Sequence, residues 1–217
     1  MMKMEYAALA GWWIIWCAIH SGMIWVTVTD ALRSKLGSYF RFYRLFFNVV
    51  AIATIIPVIR YGRSLHDPVI FRWEGFLIIP QLALLAAGIL LFLAGARHYD
   101  MLQFLGLRQI RTGASHGTLT AAGGLHTAGI LRITRHPWYL GAILLLWTGD
   151  LNVAALIGNI ILTLYLIVGT VLEERKLVLE FGDDYRRYQT QVSMLFPFKF
   201  LASRFRQFDQ APTRKSN

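Results

Sequence analysis

The sequence is short of cysteine, of charge and above all of acid. Cys17 is its only cysteine, which excludes an intrachain disulfide, and its place inside an apolar block suits packing better than nucleophilic chemistry. Charged residues make up 16% of the 217, too few to coat a soluble globule, whereas 56% are hydrophobic. Against 22 Lys and Arg stand only 12 Asp and Glu, a net charge of +10. These bases are dispersed between apolar blocks and form no single basic face, so membrane topology and anionic lipid explain them better than nucleic acid does. There is no internal repeat and no sign of a second domain. The expectation is one all-α, polytopic membrane domain over residues 1–217.

What is present is a series of apolar blocks. Ala7 to Val28, with Trp12, Trp13 and Trp16 near its start, is long enough at about 1.5 Å per residue to cross a hydrocarbon core of roughly 30 Å. It follows a single base, Lys3, is longer than a signal-peptide core, and should remain as an anchor. His20 and Ser21 lie within it. A polar pair at that depth faces protein, either for function or for packing. The stretch Asp30 to Arg44 mixes Arg33, Lys35, Arg41 and Arg44 with Tyr39, Phe40, Phe42 and Tyr43, as an interfacial belt does. Leu45 to Ile59 forms a second span, with Pro57 expected to kink its end. Phe76 to Ala96 forms a third, in which Gly88 and Gly95 offer close helix contact.

Residues 97–137 form the longest polar segment, basic and glycine-rich, and should be a cytoplasmic loop. From Trp138 to Leu172 the chain is apolar except for the turn signal Gly149-Asp150-Leu151-Asn152. The arm before that turn would be only about 17 Å long as a helix, too short to cross alone. A helical hairpin is expected, its short arm starting inside the headgroup region and leaving a recess at its N-terminus. Five spans result: three over 1–96, and the last two as the hairpin within 138–197. Loop charges place the N-terminus outside and the C-terminus in the cytoplasm, at a bacterial inner membrane.

After the last span, Glu173, Leu177, Phe181, Tyr185, Tyr188, Val192 and Leu195 recur every three or four residues, so one helical face should carry them with Glu173 pointing inward. Gly182 marks a bend. The tail, 198–217, places Phe198, Phe200, Phe205 and Phe208 among Lys199, Arg204 and Arg206, the composition of an amphipathic membrane-surface helix; the last few residues read as disordered.

Two polar clusters bracket the hairpin: Arg135-His136-Pro137-Trp138-Tyr139 before it, Glu173-Glu174-Arg175-Lys176 after it. If the hairpin closes, they meet at one membrane surface. Pro137 suits the first helical position with His136 as cap, and helix N-termini together with Arg135 favour an anion. Two adjacent acids at a helix C-terminal end call for a cation. A zwitterion with an onium centre and a flat ring fits both, and S-adenosylmethionine has those features. The same residues also read as a plain helix cap and a solvated helix face. On residues alone both readings stand.

The ordered set Arg135-His136-Pro137-x-Tyr139-x-Gly141, a hairpin, Glu173-Glu174, then Phe181-Gly182-x-x-Tyr185-x-x-Tyr188 resembles the integral-membrane methyltransferase superfamily of isoprenylcysteine carboxyl and phospholipid methyltransferases. His20-Ser21, Tyr43-Arg44-Leu45 with Asn48, and Phe104-Leu105-Gly106-Leu107-Arg108-Gln109 look most like its bacterial branch, which includes methanethiol S-methyltransferase. The resemblance implies S-adenosylmethionine as cofactor, with His136, Pro137, Tyr139, Gly141, Glu173, Glu174 and Tyr185 at its site. It implies reactant-binding or catalytic roles for Arg135 and Glu173, no metal, and direct transfer of a methyl group to a small or lipophilic acceptor, a thiol before an amine or a carboxylate. Competing readings are a redox protein, with haem between His20, His98 and His136 or a nicotinamide cofactor as in membrane sterol reductases, and a non-catalytic scaffold.

Overall fold

The computed structural model describes residues 2–98, 100–113 and 124–209, and is almost wholly helical. The glycines of 114–123 and the final residues 210–217 lie outside the described residues, so the disorder expected at the end falls there too. Helix α1 (Met2–Ile24) is followed by α2 (Val26–Leu36), a 3-10 turn over Gly37–Phe42 and α3 (Tyr43–Ser64). Strand β1 (Val69–Phe71) leads into α4 (Ile78–Ala96), then short helices α5 (Met101–Leu105) and α6 (Leu107–Thr112). A 3-10 turn at Gly129–Arg132 precedes α7 (Pro137–Leu146), β2 (Leu151–Asn152), α8 (Val153–Gln191) and α9 (Phe198–Asp209).

Four helical stretches are long and apolar enough to cross a bilayer: Lys3–Ile24, Val26–Ser64, Gly75–Ala96 and Val153–Gln191. The fifth expected span, α7, has ten residues, about 15 Å, half a hydrocarbon core. The first twenty residues of α8, 153–172, are already long enough for a crossing at about 1.5 Å each, and Glu173 and Glu174 follow them. Helix α3 continues through Pro57 to Ser64, a turn further than expected. Large apolar side chains point outward, among them Phe46, Ile52, Ile79, Leu90 and Leu164, because in lipid the exterior needs no polar coat.

Helices α1, α3 and α8 close on Leu9, Trp13, Val58 and Ala154. Gly158 admits the Trp13 indole, whose Nε1 is 3.0 Å from where a β-carbon would stand. Helices α4 and α7 pack through their glycines: a β-carbon on Gly88 would come within 2.7 Å of Leu145, one on Gly95 within 2.5 Å of Trp138, and one on Gly141 within 3.1 Å of the Gly88 carbonyl. Gly88 and Gly95 therefore serve the close contact expected of them.

The turn between α7 and α8 is fastened to the loop before α4. β1 pairs antiparallel with β2, Asp67 accepts from Asn152 and from the Ala154 N–H, and the Asn152 side chain caps α8 by accepting from Ala155 N. This latch holds one end of the bundle. At the other end α8 emerges beside the start of α7.

Candidate functional site

The segment leading into α7 is positioned by the segment that leaves α8. Gly129 has φ +60 and sits against the His98 ring, where a β-carbon would lie 2.8 Å from Nε2, so the turn needs glycine. Beyond it, Arg135 N donates to Ser193 O at 3.0 Å and His136 N to Met194 O at 3.2 Å, with Thr134 and Ser193 bridged in parallel. Arg135 and His136 are thus locked into place before α7 begins at Pro137.

Helix α8 then folds back on itself. Glu174 and Tyr185 are eleven residues apart, roughly 16 Å along a straight helix, and Glu174 and Gln189 about 22 Å. Yet Tyr185 Oη donates to Glu174 Oε1 at 2.9 Å and Gln189 Nε2 to Oε2 at 2.7 Å. The reversal occurs at Gly182, with φ 56 and ψ −129, a conformation that side chains exclude. The expected bend is a full turn-back.

The two polar clusters do meet, and their meeting point is Glu174. Arg135 grips it with both prongs, Nε to Oε1 at 2.6 Å and Nη2 to Oε2 at 2.7 Å, and His136 Nε2 donates to Oε1 at 2.9 Å. With Tyr185 and Gln189 the carboxylate accepts five hydrogen bonds. The remaining Arg135 donor group, Nη1, reaches the carbonyls of Gln189 and Val192. Burial raises the Glu174 pKa, but hydrogen bonds from His136, Arg135, Gln189 and Tyr185 outweigh it and hold the group well below the usual carboxylate range. Burial and the neighbouring Glu174 charge push the Tyr185 phenol well above its ordinary value.

This geometry sorts the site residues. Glu174, not Glu173, is the inward carboxylate: its residue is 8% exposed, and it shares a buried face with Thr170 one turn earlier. A stripe stepped back from Tyr185 by three successive steps of four residues drifts by about 120° at about 100° per residue and so lands on the wrong acid, whereas Glu174, eleven residues back, keeps the phase to about 20°. Glu173 has a side chain 34% exposed, with Oε2 3.7 Å from His136 Nδ1. Tyr139 stands edge-on to the His136 ring, centroids 5.7 Å apart, and lies across Gly169, 3.5 Å from where a β-carbon would stand. Glu173 and Tyr139 therefore both flank the His136 ring. Arg135 and Tyr185 are buried and committed to Glu174. Pro137 is buried, and Gly141, two residues past Tyr139, faces α4 instead.

Sequence reasoning missed Gln189 and Tyr165. Gln189 reaches Glu174 only through the turn-back, and Tyr165 sits in an apolar span where function and packing look alike. Tyr165 Oη lies 2.8 Å from His20 Nδ1 and 2.9 Å from Ser21 Oγ. The three histidines considered for haem are apart in their bonding: His20 is on Tyr165, His98 against Gly129 and His136 on Glu174. Among the described residues, no group of three His, Cys, Asp or Glu side chains is placed to hold a metal.

Fold and polar cluster together define a polytopic helical membrane protein with a polar site at the end of its bundle. The chain belongs to the family described as NnrU protein, whose model matches residues 8–203. It is 41% identical over 76 residues to methanethiol S-methyltransferase of Pseudomonas deceptionensis, covering 35% of this chain and 29% of that protein. It is 34% identical over 118 residues to methanethiol S-methyltransferase 2 of Bradyrhizobium diazoefficiens, covering 54% and 45%. It is 34% identical over 102 residues to methanethiol S-methyltransferase of Mycobacterium tuberculosis, covering 46% and 40%. The matched stretch is less than half the length of each of these relatives. No solved structure matches.

Proposed function

We propose that this protein is an S-adenosylmethionine-dependent methyltransferase of the membrane, acting on a small or lipophilic thiol. The similarity to proteins named methanethiol S-methyltransferase supports the reaction class. The observation that carries the cofactor reading is the division of labour between adjacent acids. Glu174 spends its charge inside the fold, whereas Glu173 keeps an accessible carboxylate beside His136 and Tyr139. A carboxylate with no guanidinium partner among the described residues, next to an aromatic ring, suits an onium group.

In this reading Glu173 faces the sulfonium or ammonium, Tyr139 offers a ring face or edge, and His136 orients through its hydrogen bond to Glu174. Bound S-adenosylmethionine supplies an electrophilic methyl group. The protein supplies alignment, exclusion of water and a fixed carboxylate. Arg135, Tyr185 and Gln189 act as the frame that holds Glu174 and, through it, His136. The charge distribution supports an N-terminus outside and the recess in the cytoplasm.

The test is transfer of labelled methyl from S-adenosylmethionine in proteoliposomes, with an alkanethiol, an alkylamine and a carboxylate as parallel acceptors. Label in the thioether alone supports the reading. Label in the amine or ester shifts the acceptor class, and label in none contradicts it.

A further inference from the structure

A second polar cluster lies inside the bundle, with hydrogen-bond partners separate from those of Glu174. On α1, His20 stacks on Trp16 with centroids 5.1 Å apart and packs against Phe47 of α3 at 4.9 Å. Its Nδ1 is bonded to Tyr165 of α8, which also holds Ser21. Arg44 of α3 approaches the same ring: its guanidinium sits 5.2 Å from Phe47 and 5.3 Å from Phe104. Imidazole and guanidinium thus share one aromatic neighbour. Only Nε of Arg44 has an acceptor among the described residues, the Phe104 carbonyl at 3.1 Å.

This cluster is tied to the residues around His136 by the spacing on α8. Tyr165, Gly169 and Glu173 are four residues apart in turn, so they lie along one helical face, about 6 Å between neighbours. Tyr165 holds His20, Gly169 carries the Tyr139 ring, and Glu173 meets His136. The half-buried polar cluster therefore stands one turn from the Tyr139 ring and two turns, about 12 Å, from Glu173 along α8.

We propose that His20, Tyr165, Ser21 and Arg44 form the acceptor's site, where a small thiol gives its proton to His20 Nε2 and its sulfur faces Arg44. This rests on the methyltransferase reading. The bonding suits a general base: with Nδ1–H donating to Tyr165 Oη, Nε2 carries the lone pair, and the same bond persists once the ring is protonated. In the step, the S–H bond breaks, its proton goes to Nε2, and the electron pair stays on sulfur as a thiolate beside the guanidinium. The pairing of base and cation selects the acceptor class. A carboxylate is already ionised and needs no base; an amine loses a proton but is repelled by Arg44 while charged. A thiol uses both.

An open apolar groove of about 740 Å³ is lined by Ile19, Gly22 and Tyr43, each next in the chain to a member of the cluster, and gives a lipid-dissolved thiol an approach. The titratable groups packed around His20 are Tyr165 on α8, Arg44 and Tyr43 on α3 and Cys17 one turn away on α1.

The experiment is titration of the purified protein, without any methyl donor, by 1-propanethiol and by methyl propyl sulfide, which has no proton to give. Calorimetry reads occupancy by the thiol and the sulfide, and calorimetric binding of S-adenosylhomocysteine checks fold and cofactor site. Thiol affinity is expected to fall as pH falls through the imidazole ionisation. His20→Phe should abolish that pH dependence, and His20→Phe and Arg44→Met should each weaken thiol binding by about tenfold or more. Methyl propyl sulfide should bind wild type and His20→Phe alike, and S-adenosylhomocysteine binding should persist in both variants. Absence of thiol binding by wild type, thiol affinity unchanged in both variants, or loss of S-adenosylhomocysteine along with the thiol would overturn the proposal. If wild type binds the thiol as described but not S-adenosylhomocysteine, the methyltransferase reading fails and the thiol site stands.

Discussion

Glu174 receives both prongs of the Arg135 guanidinium, at 2.6 and 2.7 Å, with both side chains almost fully buried. Burying two charges is costly, and what offsets it here is saturation: His136, Tyr185 and Gln189 supply the other donors. The pair is therefore a structural joint between the segment before α7 and the end of α8.

Glu174→Gln leaves Arg135 buried without its counter-charge and should destabilise the protein by about 3–5 kcal/mol. Arg135→Met should cost a similar amount. Because each removes the same pair, the double variant should lose much less than the sum, a coupling that a thermal-melt double-mutant cycle in detergent measures. Additive losses would contradict a joint.

The depressed Glu174 carboxyl also sets a pH dependence. A carboxylate whose folded pKa is lowered contributes stability that is fully present above its unfolded pKa, near 4.3 in model peptides, and is lost as pH falls toward the folded value. The contribution of this group should be level from neutral pH down to about 5 and decline below that. Melting temperature against pH should show the decline in wild type and a shallower one in the Arg135→Met, Glu174→Gln double variant.

At Gly182 the backbone has φ 56 and ψ −129, so Gly182→Ala forces a side chain into a region only glycine favours, at a cost of about 1–3 kcal/mol. The loss should centre on the turn-back. Hydrogen exchange should rise over 183–191 more than over 153–172; uniform exchange would place the break elsewhere.

The helical hairpin is legible in the sequence because Gly149 to Asn152 interrupts an otherwise apolar run, and the meeting of the Arg135 and Glu174 clusters follows from that hairpin. The choice between Glu173 and Glu174 turns on helical phase: three steps of four residues from Tyr185 back to Glu173 drift by about 120°, whereas Glu174, eleven residues back, returns to within about 20° at about 100° per residue. The turn-back that brings Tyr185 and Gln189 onto Glu174 is not legible, because the sequence does not state the φ and ψ of Gly182. The role of Gly141 is hidden for another reason. A glycine at a ligand and a glycine at a helix crossing have the same signature until the neighbouring helix is in place.

Gly141→Ala tests that assignment. Its β-carbon would stand 3.1 Å from both the Gly88 carbonyl and Phe92, so the variant should lose about 1–3 kcal/mol by overpacking while its affinity for S-adenosylhomocysteine stays within about twofold of wild type. A stable variant with lost affinity would return Gly141 to the cofactor site.

The most direct measurement is calorimetric binding of S-adenosylmethionine and S-adenosylhomocysteine to the purified protein and to Glu173→Gln. Glu173 is partly exposed and supports no buried joint, so the variant should fold and melt as wild type does. If Glu173 faces the sulfonium, wild type binds both ligands, and the variant loses more affinity for the charged S-adenosylmethionine than for the neutral thioether of S-adenosylhomocysteine. Equal affinities in the variant and wild type, or no binding by folded wild type, would contradict the account.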